Sequence, residues 1–404
     1  MVVGYAHTNL AIINLVNFKL TYLADEDMDL FVRSTPGISD ALISGIVSQG
    51  VFNNTYLVEY PIVRFTGLRA KKMLAPFRFV KYYKRYKHQY DTRLHNAVGE
   101  KKYDMLICPH FHCDAVFFAD YFSRNNPKLR IRFIDEGTIS ICYTNAERSG
   151  VYVIPQKATE RIKRVFTYLK LCRKHRKRVD KIEYLMGERK MVEDPLVSIV
   201  TLPPIVLNHK SQEVFTNLFS FSDVLNIYYQ KRSIYCFAEY PSYEFPDYET
   251  FLYKLLNLIF EDVSPERCIV RLHPNQTAFK EKLKEEDGPH KMTFVDVAGD
   301  PIEAVFFNVD LKNKIFILRE STIMFLPKLM FESEAIIICT SRLLQRYVSD
   351  EFYKEMTDLY IDYLKDIYID KTRIYAPNSF RELKMNIKEA YRKICHYGTN
   401  EFSD

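Results

Sequence analysis

Short apolar runs alternate with longer amphipathic stretches along almost the whole chain. A run of four or five β-branched or other apolar residues predicts a buried strand, and an apolar repeat of three to four residues predicts a helix. In the first half, strands are predicted at residues 2–5, 30–33, 56–60, 105–108 and 131–134. In the second half, they are predicted at residues 234–237, 268–272, 293–297, 315–318 and 335–339. This alternation predicts an α/β fold in which helices cover parallel sheets.

The two series of strands predict two domains. Pro203-Pro204 begins a less regular stretch that reaches about residue 230. We therefore expect an N-terminal domain over residues 1–210 and a C-terminal domain over residues 230–404, each a Rossmann-like, doubly wound sheet. Helices are predicted at residues 248–260, 302–308 and 380–397. Because ligands of open α/β sheets bind beyond the carboxyl ends of the strands and often between domains, we expect the chemistry in an inter-domain cleft.

Composition supports this picture and adds an expected location. The 404 residues are 47% hydrophobic and 27% charged, which is the balance of a globular protein large enough for two cores. The N-terminus lacks the pattern of a secretory signal, and no apolar stretch approaches the ~20 residues that span a bilayer. The eight cysteines include no CxxC pair and are expected as reduced thiols. Together these features predict a cytoplasmic protein.

The net charge of +6 is concentrated in two basic runs, at residues 69–93 and 161–181, which are both predicted to be helical. In the first run, lysines and arginines alternate with tyrosines and phenylalanines. One interpretation is a pair of solvated helix faces. The other is a surface for anionic lipid or a polyanionic acceptor. No nucleic-acid-binding module accompanies the charge, so nucleic acid is not an expected partner.

Two adjacent acids follow a predicted strand of the first domain. Asp135, Glu136 and Gly137 come directly after the run that ends at Ile134. A carboxylate at a strand end can remove a proton from an acceptor hydroxyl. An acidic pair before glycine also forms ordinary turns and helix caps.

A histidine ends a predicted strand of the second domain. His273 is followed by Pro274, which disfavours helical geometry at the histidine and directs the imidazole away from the strand end. Near neutral pH an imidazole can donate a proton or a hydrogen bond to a leaving phosphate. The alternative role is a cap on a turn.

Two further segments of the second domain carry polar residues beside predicted strands. Ser321 and Thr322 precede a helical pattern, so their hydroxyls and free N–H groups can bind phosphate or cap the helix. Asp300, Pro301 and Glu303 have the spacing of a capping box at a helix start. The carboxylate of Glu303 could also reach a ribose hydroxyl of a nucleotide.

The order of these elements resembles the bacterial sialyltransferases of the lipooligosaccharide sialyltransferase and polysialyltransferase families. In those families an (Asp/Glu)-(Asp/Glu)-Gly motif in the first domain and a His-Pro motif in the second define the active site of a GT-B fold. The matching positions are Asp135-Glu136-Gly137 and His273-Pro274. The turn Ala6-His7-Thr8-Asn9 is similar to the opening turn of these families.

The resemblance implies metal-independent, inverting transfer of sialic acid from CMP-sialic acid to a hydroxyl of a glycan acceptor. No cofactor is implied, and peripheral contact with anionic lipid at the inner face of the cell membrane is compatible with it. By motif position, Asp135 is the general base and His273 the general acid or phosphate-binding group. The implied donor-binding set is Glu136, Gly137, Pro274, Pro301, Glu303, Ser321 and Thr322, in which Ser321 and Thr322 hold the phosphate and Pro301 and Glu303 face cytidine and ribose.

Several alternatives remain at this point. The loop after residue 237 contains Glu244 and Asp247, either of which could be the base in place of Asp135. Residues 108–113 read Cys-Pro-His-Phe-His-Cys and hold four possible zinc ligands, although zinc sites usually draw ligands from separated segments. Another nucleotide-activated transferase of surface-polymer synthesis, such as a glycerophosphotransferase, would need similar phosphate ligands. A non-catalytic glycan-binding protein could use the same cleft.

Overall fold

The computed structural model describes residues 1–34, 38, 40–59, 75–109, 115–134, 174–175, 177–184, 198–219, 223–238, 248–272, 302–319, 321–345 and 351–400. The chain forms two compact units. Unit 1 comprises Met1–Pro203 and Asn208–Val214, and unit 2 comprises Pro204–Leu207 and Phe215–Asp404. The chain therefore changes unit between residues 203 and 215.

Unit 1 is built on a parallel sheet whose seven described strands have the order β3-β2-β1-β4-β5-β6-β7. Every described pairing in this sheet is parallel, from Val2 opposite Met28 to Tyr184 opposite Thr201. The strands are β1 (Val2–Ala6), β2 (Met28–Ser34), β3 (Asn54–Glu59), β4 (Met105–Cys108), β5 (Arg130–Ile134), β6 (Val179–Tyr184) and β7 (Ser198–Thr201).

The helices of unit 1 bury large apolar side chains against this sheet. They are α1 (Asn9–Tyr22), α2 (Asp40–Ser48), α3 (Ala75–Val98), α4 (Ala115–Asn125) and α5 (His209–Leu218), the last of which continues into unit 2. Thr8 caps α1, since its Oγ1 accepts a hydrogen bond from the Ala11 N–H at 3.1 Å. Residues 10–19 of α1 are all buried, so this helix is enclosed on every side.

Unit 2 is built on a second parallel sheet, whose five described strands have the order β12-β11-β10-β8-β9. Its described pairings are also all parallel. The strands are β8 (Ile234–Ala238), β9 (Cys268–Leu272), β10 (Ile315–Leu318), β11 (Ile336–Cys339) and β12 (Ile374–Tyr375).

Helices cover both faces of the second sheet. They are α6 (Asp223–Gln230), α7 (Tyr248–Phe260), α8 (Ile302–Asn308), α9 (Leu326–Phe331), α10 (Ser341–Gln345), α11 (Glu351–Ile367) and α12 (Phe380–Asn400). On one face, α7 and α12 pack on aliphatic strand residues such as Ile315 and Ile336. On the other face, Phe306 of α8 stacks on Phe316 of β10 at a centroid distance of 5.2 Å. Both units are thus doubly wound, and the expected α/β class of two Rossmann-like domains is confirmed.

Most predicted strands are confirmed with their ends within about two residues. The prediction at residues 105–108 matches β4, and those at 268–272 and 315–318 match β9 and β10. The strand predicted at residues 293–297 lies outside the described residues. The helices predicted at residues 248–260 and 302–308 are confirmed as α7 and α8.

Among the described strands, three were not predicted (β6, β7 and β12), and β6 corrects a prediction. The basic run at residues 161–181 was expected to be helical, but residues 179–181 belong to β6. The sequence from Val179 to Tyr184 places apolar residues three apart, as a helix would. Pairing with β5 and β7 overrides that local signal. The stretch from residue 203 to 230, predicted to be irregular, contains α5 and α6.

The helical pattern predicted directly after Ser321 and Thr322 is split in two. A 3₁₀ helix at Thr322–Met324 precedes α9, and Pro327 lies in the first turn of α9. Proline is tolerated there because its missing N–H would have had no partner within the helix. Within the described part of the chain, we find no helix with the length and apolar character needed to cross a bilayer.

Candidate functional site

The carboxyl ends of the strands form one edge of each sheet, and in each sheet one point on this edge has the topology of a ligand site. In unit 2, β9 pairs with one side of β8, and β10, followed by β11, pairs on the other side. In unit 1 it adds β2 and β3 on one side of β1 and β4 to β7 on the other. These reversals lie between β8 and β10 and between β1 and β4, and doubly wound sheets bind ligands beside such points.

Ser321 and Thr322 lie at the unit 2 edge, directly beyond β10. Ser321 has extended backbone angles (φ −147°, ψ 153°) and caps the 3₁₀ helix that begins at Thr322, with its Oγ accepting from the Ile323 N–H at 3.5 Å. The capping role considered from the sequence is therefore present. The end of β10 is fixed by Thr340, whose N–H and hydroxyl both donate to the Leu318 carbonyl at 2.8 and 3.1 Å. This arrangement brings hydroxyl groups to the point where the strand order reverses.

Glu303 lies in the first turn of α8 and is 6% exposed. Because α8 leads into the start of β10, this first turn lies near the carboxyl edge of the sheet. Burial raises the pKa of the Glu303 carboxyl, and its own backbone N–H and the positive charge of Arg271 offset only part of that effect. Asp300 and Pro301, the other members of the predicted capping box, lie outside the described residues.

Arg271 is a charged residue of this edge that the sequence reasoning missed. It is the fourth residue of β9 and lies opposite Phe237 of β8. Phe237 contacts Phe316, and Phe316 stacks on Phe306, so Arg271 lies on the face of the sheet that α8 covers. The available signal was an arginine within the apolar strand Cys-Ile-Val-Arg-Leu.

The other predicted donor-side residues follow described strands in sequence but lie outside the described residues. His273 and Pro274 come directly after Leu272, the last residue of β9. Glu244 and Asp247, the reserve candidates for the base, fall between β8 and α7. Of the predicted donor-binding residues, the structure therefore brings Glu303, Ser321 and Thr322 to the same edge of one sheet.

At the unit 1 edge, the opening turn predicted from the sequence follows β1. His7 and Thr8 connect β1 to α1, and the ring of His7 stacks on that of Tyr5 at 6.1 Å. β5 lies beside β4, two strands away from β1. Asp135, Glu136 and Gly137 follow the last residue of β5 and lie outside the described residues.

Of the candidate zinc ligands, only Cys108 lies within the described residues. Its side chain is fully buried in the apolar core of unit 1, where it packs among residues of α4. His110, His112 and Cys113 lie outside the described residues. In the described ranges, no three His, Cys, Asp or Glu residues are grouped as a metal site would require.

Part of the charge in the two basic runs is neutralised inside unit 1. Asp120 of α4 is 4% exposed and is contacted by Lys87 Nζ at 2.9 Å, Lys174 Nζ at 2.8 Å and His175 Nε2 at 3.2 Å. Burial acts to raise the pKa of the Asp120 carboxyl, but hydrogen bonds from His175, Lys174 and Lys87 outweigh it and lower the pKa. Lys87 and Lys174, one from each basic run, are thus paired with α4 and do not belong to an open charged surface.

Comparison with known proteins gives a fold but no family. No protein-family model matches the chain. No curated protein sequence matches it either. Among solved structures, a Listeria monocytogenes protein assigned as a UDP-N-acetylglucosamine 2-epimerase matches 98% of this chain and 90% of its own with a TM-score of 0.53 and 8% identity.

A UDP-GlcNAc 2-epimerase from Neisseria meningitidis, bound to UDP-GlcNAc, matches 99% of this chain and all of its own with a TM-score of 0.47 and 10% identity. At such identities a structural likeness concerns the fold alone, and the fold is supported by the Listeria structure. Its match spans both units described above. The chain has a fold similar to GT-B proteins, with two Rossmann-like domains.

Proposed function

We propose that this protein is an inverting glycosyltransferase that moves sialic acid from CMP-sialic acid to a hydroxyl of a cell-surface glycan, such as lipooligosaccharide, capsule or exopolysaccharide. The observation that carries the proposal is the position of the motif residues relative to the strands. In the sequence, Asp135, His273 and Ser321 come one to three residues after the last residue of β5, β9 and β10, and doubly wound sheets bind ligands beyond the carboxyl ends of their strands.

On the donor side, the proposed residues stabilise the negative charge that develops on the leaving group. When the bond between sialic acid and phosphate oxygen breaks, negative charge grows on the phosphate of CMP. His273 donates a proton or hydrogen bond to that phosphate, and the hydroxyls of Ser321 and Thr322 donate further hydrogen bonds. Pro274 and Pro301 shape the nucleotide site, and Glu303 accepts a hydrogen bond from ribose.

On the acceptor side, a base must take the proton of the attacking hydroxyl. Asp135 accepts this proton as the acceptor oxygen bonds to the anomeric carbon of sialic acid and CMP leaves from the opposite face, which inverts that centre. Glu136 and Gly137, which follow the base in the sequence, belong to the proposed donor-binding set. Glu244 and Asp247 are the alternatives for the base. Replacing each of these acids in turn tests whether it has that role.

No metal is needed in this proposal, because histidine and hydroxyl donors offset the phosphate charge that a metal ion would otherwise balance. The sialyl donor also carries its own carboxylate and reacts through a cation-like transition state. The protein's main tasks are therefore to orient the two substrates, to remove one proton and to stabilise the leaving group.

The test is CMP release from CMP-sialic acid by purified protein, with and without a galactose-terminated acceptor, in the presence of EDTA. We expect acceptor-dependent release that survives EDTA. His273→Ala and Asp135→Asn should each lower it at least ~100-fold, the usual contribution of a general acid or base. His209→Ala, which changes an exposed histidine of α5, is the matched control and should leave release unchanged.

The same assay separates the alternatives. One outcome is release of a nucleotide from UDP-N-acetylglucosamine or from a nucleotide-activated glycerophosphate, with none from CMP-sialic acid. It would refute the sialyl donor and would still support a transferase that uses another donor. Donor binding without turnover of any donor would favour a glycan-binding protein. Loss of activity in EDTA that is restored by a divalent cation would refute the metal-free mechanism.

A further inference from the structure

The end of α5 packs against α8 within unit 2. Phe215 lies in the last turn of α5, and Phe219 directly follows the helix. Their rings contact the ring of Phe307 in α8, with centroids 5.5 and 5.3 Å away, and they are 0% and 4% exposed. Buried aromatic rings at such separations have preferred relative orientations, so this cluster fixes the geometry between the two helices.

Asn308 joins the same two helices by hydrogen bonds. Its Nδ2 donates to the Phe219 carbonyl at 2.6 Å and to the Ala304 carbonyl, one turn earlier in α8, at 2.7 Å. The Phe219 carbonyl lies just beyond the end of α5, where backbone carbonyls lack partners within the helix. One amide group therefore satisfies a carbonyl of each segment, which an aliphatic side chain of similar size could not do.

Helix α8 extends this contact to the strands beside the reversal of strand order. Phe306 of α8 stacks on Phe316 of β10 at a centroid distance of 5.2 Å, and Phe316 contacts Phe237 of β8 at 5.7 Å. β8 and β10 flank the point where the strand order of unit 2 reverses. With seven residues, α8 is about 10 Å long. The end of α5 thus contacts the far end of a short helix that begins near the carboxyl edge of the sheet.

The start of α5 is fixed as well. The hydroxyl of Ser211, in the first turn of α5, donates to Asn17 Oδ1 of α1 at 2.9 Å, and both side chains are fully buried. Asn17 Nδ2 donates in turn to the Pro203 carbonyl at 2.8 Å. These three residues belong to unit 1. Because α5 is held near its start and at its end, it can act as a rigid support for α8.

We propose that α5 supports α8, and that Phe215 and Asn308 are positioning residues that keep the carboxyl edge of unit 2 in its nucleotide-binding geometry. This inference rests on the proposed function in one respect, namely that the ligand at this edge is a nucleotide. It adds to that function a helix outside the motif residues. Neither residue has to touch the nucleotide, because small displacements of a supporting element weaken a binding site.

The experiment is calorimetric binding of CMP and of UMP to the full-length protein at neutral pH. Asn308→Leu removes both hydrogen bonds with little change in side-chain volume. We expect it to bind the nucleotide about tenfold more weakly than the wild type does. Phe215→Leu alters α5 itself and should weaken binding in the same direction, which keeps the test available if Asn308→Leu does not fold.

The matched control is Phe260→Leu. Phe260 is a buried aromatic residue at the end of α7, in the core cluster on the opposite face of the sheet. Its replacement should lower the urea midpoint of unfolding, as Phe215→Leu does, but should change the nucleotide affinity less than about twofold. The comparison separates a loss of stability from a loss of positioning.

The outcomes distinguish this inference from the donor assignment. Unchanged affinity in both Asn308→Leu and Phe215→Leu, with lowered urea midpoints, would make α5 a structural contact only and would overturn the inference. Equal weakening by Phe260→Leu would overturn it as well. Binding of UMP but not CMP, with the expected effects of the variants, would refute CMP-sialic acid as the donor and support the role of α5. A wild type that binds neither nucleotide would refute both.

Discussion

Two buried lysines, one in each unit, donate hydrogen bonds to backbone carbonyls at the ends of helices. Each helix end leaves backbone carbonyls without partners, and a lysine donates to them: Lys19 lies in the last turn of α1 itself, whereas Lys314, just before β10, reaches the end of α6. Lys19 and Lys314 are 6% and 4% exposed. The Nζ of Lys19 donates to the carbonyls of Leu23, Ala24 and Glu26, and that of Lys314 to those of Tyr229, Gln230 and Arg232. Burial lowers the pKa of Lys314 to about 8, a value that the sequence alone did not suggest.

Asp29 is a buried acidic residue near the start of β2. It is 1% exposed and accepts hydrogen bonds from Lys101 Nζ at 2.8 Å, Tyr103 Oη at 2.6 Å and Asn54 Nδ2 at 2.8 Å. Burial acts to raise the pKa of the Asp29 carboxyl, but these three hydrogen bonds outweigh it and lower the pKa. The network therefore joins β2, β3 and the segment before β4 through one ionised carboxylate.

Replacing Asp29 by Asn should destabilise unit 1 by about 2 to 4 kcal/mol, because it leaves a buried network with its charge unbalanced. Since the folded pKa lies below the unfolded value of about 3.9, the stabilisation is present above about pH 4 and is lost as pH falls through the folded pKa. Urea unfolding from about pH 7 to about pH 2 checks this. The exposed Asp40 gives the control: Asp40→Asn should change stability by less than about 0.5 kcal/mol. A constant difference between wild type and Asp29→Asn down to pH 2 would contradict the assignment.

At the scale of elements, local sequence predicted those strands whose side chains are mostly apolar. β4, β9 and β10 were found from short apolar runs, and α7 and α8 from their repeats. β6 was missed because its sequence, Val-Asp-Lys-Ile-Glu-Tyr, carries charges within a central strand. Such a segment becomes a strand through pairing on both sides, and single-sequence patterns contain little of that information.

The C-terminal helix α12 offers a direct test of an element. Leu383, Ile387, Ala390 and Ile394 have helical spacing and pack in the core cluster of unit 2. Leu383→Ala should destabilise unit 2 by about 2 to 5 kcal/mol, because it removes a fully buried side chain and leaves a cavity. The measurement is urea unfolding followed by circular dichroism. Met385→Ala, in the same helix but 55% exposed, should cost less than about 0.5 kcal/mol, and an equal cost for the two variants would refute this packing.

At the scale of the whole molecule, the distribution of charge suggests a partner surface. The formal net charge is +6, and the sequence of α3 carries Lys81, Lys84 and Arg85 beside Lys87. Lys87 is engaged by Asp91 and Asp120, whereas Arg85 is exposed. We therefore propose that an anionic lipid surface is contacted by the basic residues of α3 that precede Lys87.

The protein should bind vesicles that contain phosphatidylglycerol at low salt and be released at about 0.5 M salt, where exposed charges are screened. Changing Lys81, Lys84 and Arg85 to Gln should weaken binding about 100-fold, at about 1 kcal/mol for each basic residue near the surface. The control changes the exposed Lys128, Lys210 and Lys231 to Gln and removes the same charge. Co-sedimentation measures both, and equal weakening by the two variants would assign the binding to net charge alone.

The sequence by itself determined the α/β class, most strands of both sheets and the order of the motif residues. These follow from local patterns, because buried strands of parallel sheets are continuously apolar and turn residues follow them directly. Only the tertiary structure decided the strand orders, and with them the one point in each sheet where the order reverses. It also decided that Arg271 shares a sheet face with α8 and that Asp29, Asp120 and Lys314 are buried with distant partners. Such contacts join residues far apart in the chain, and they depend on how the strands and helices pack together, which no local pattern encodes.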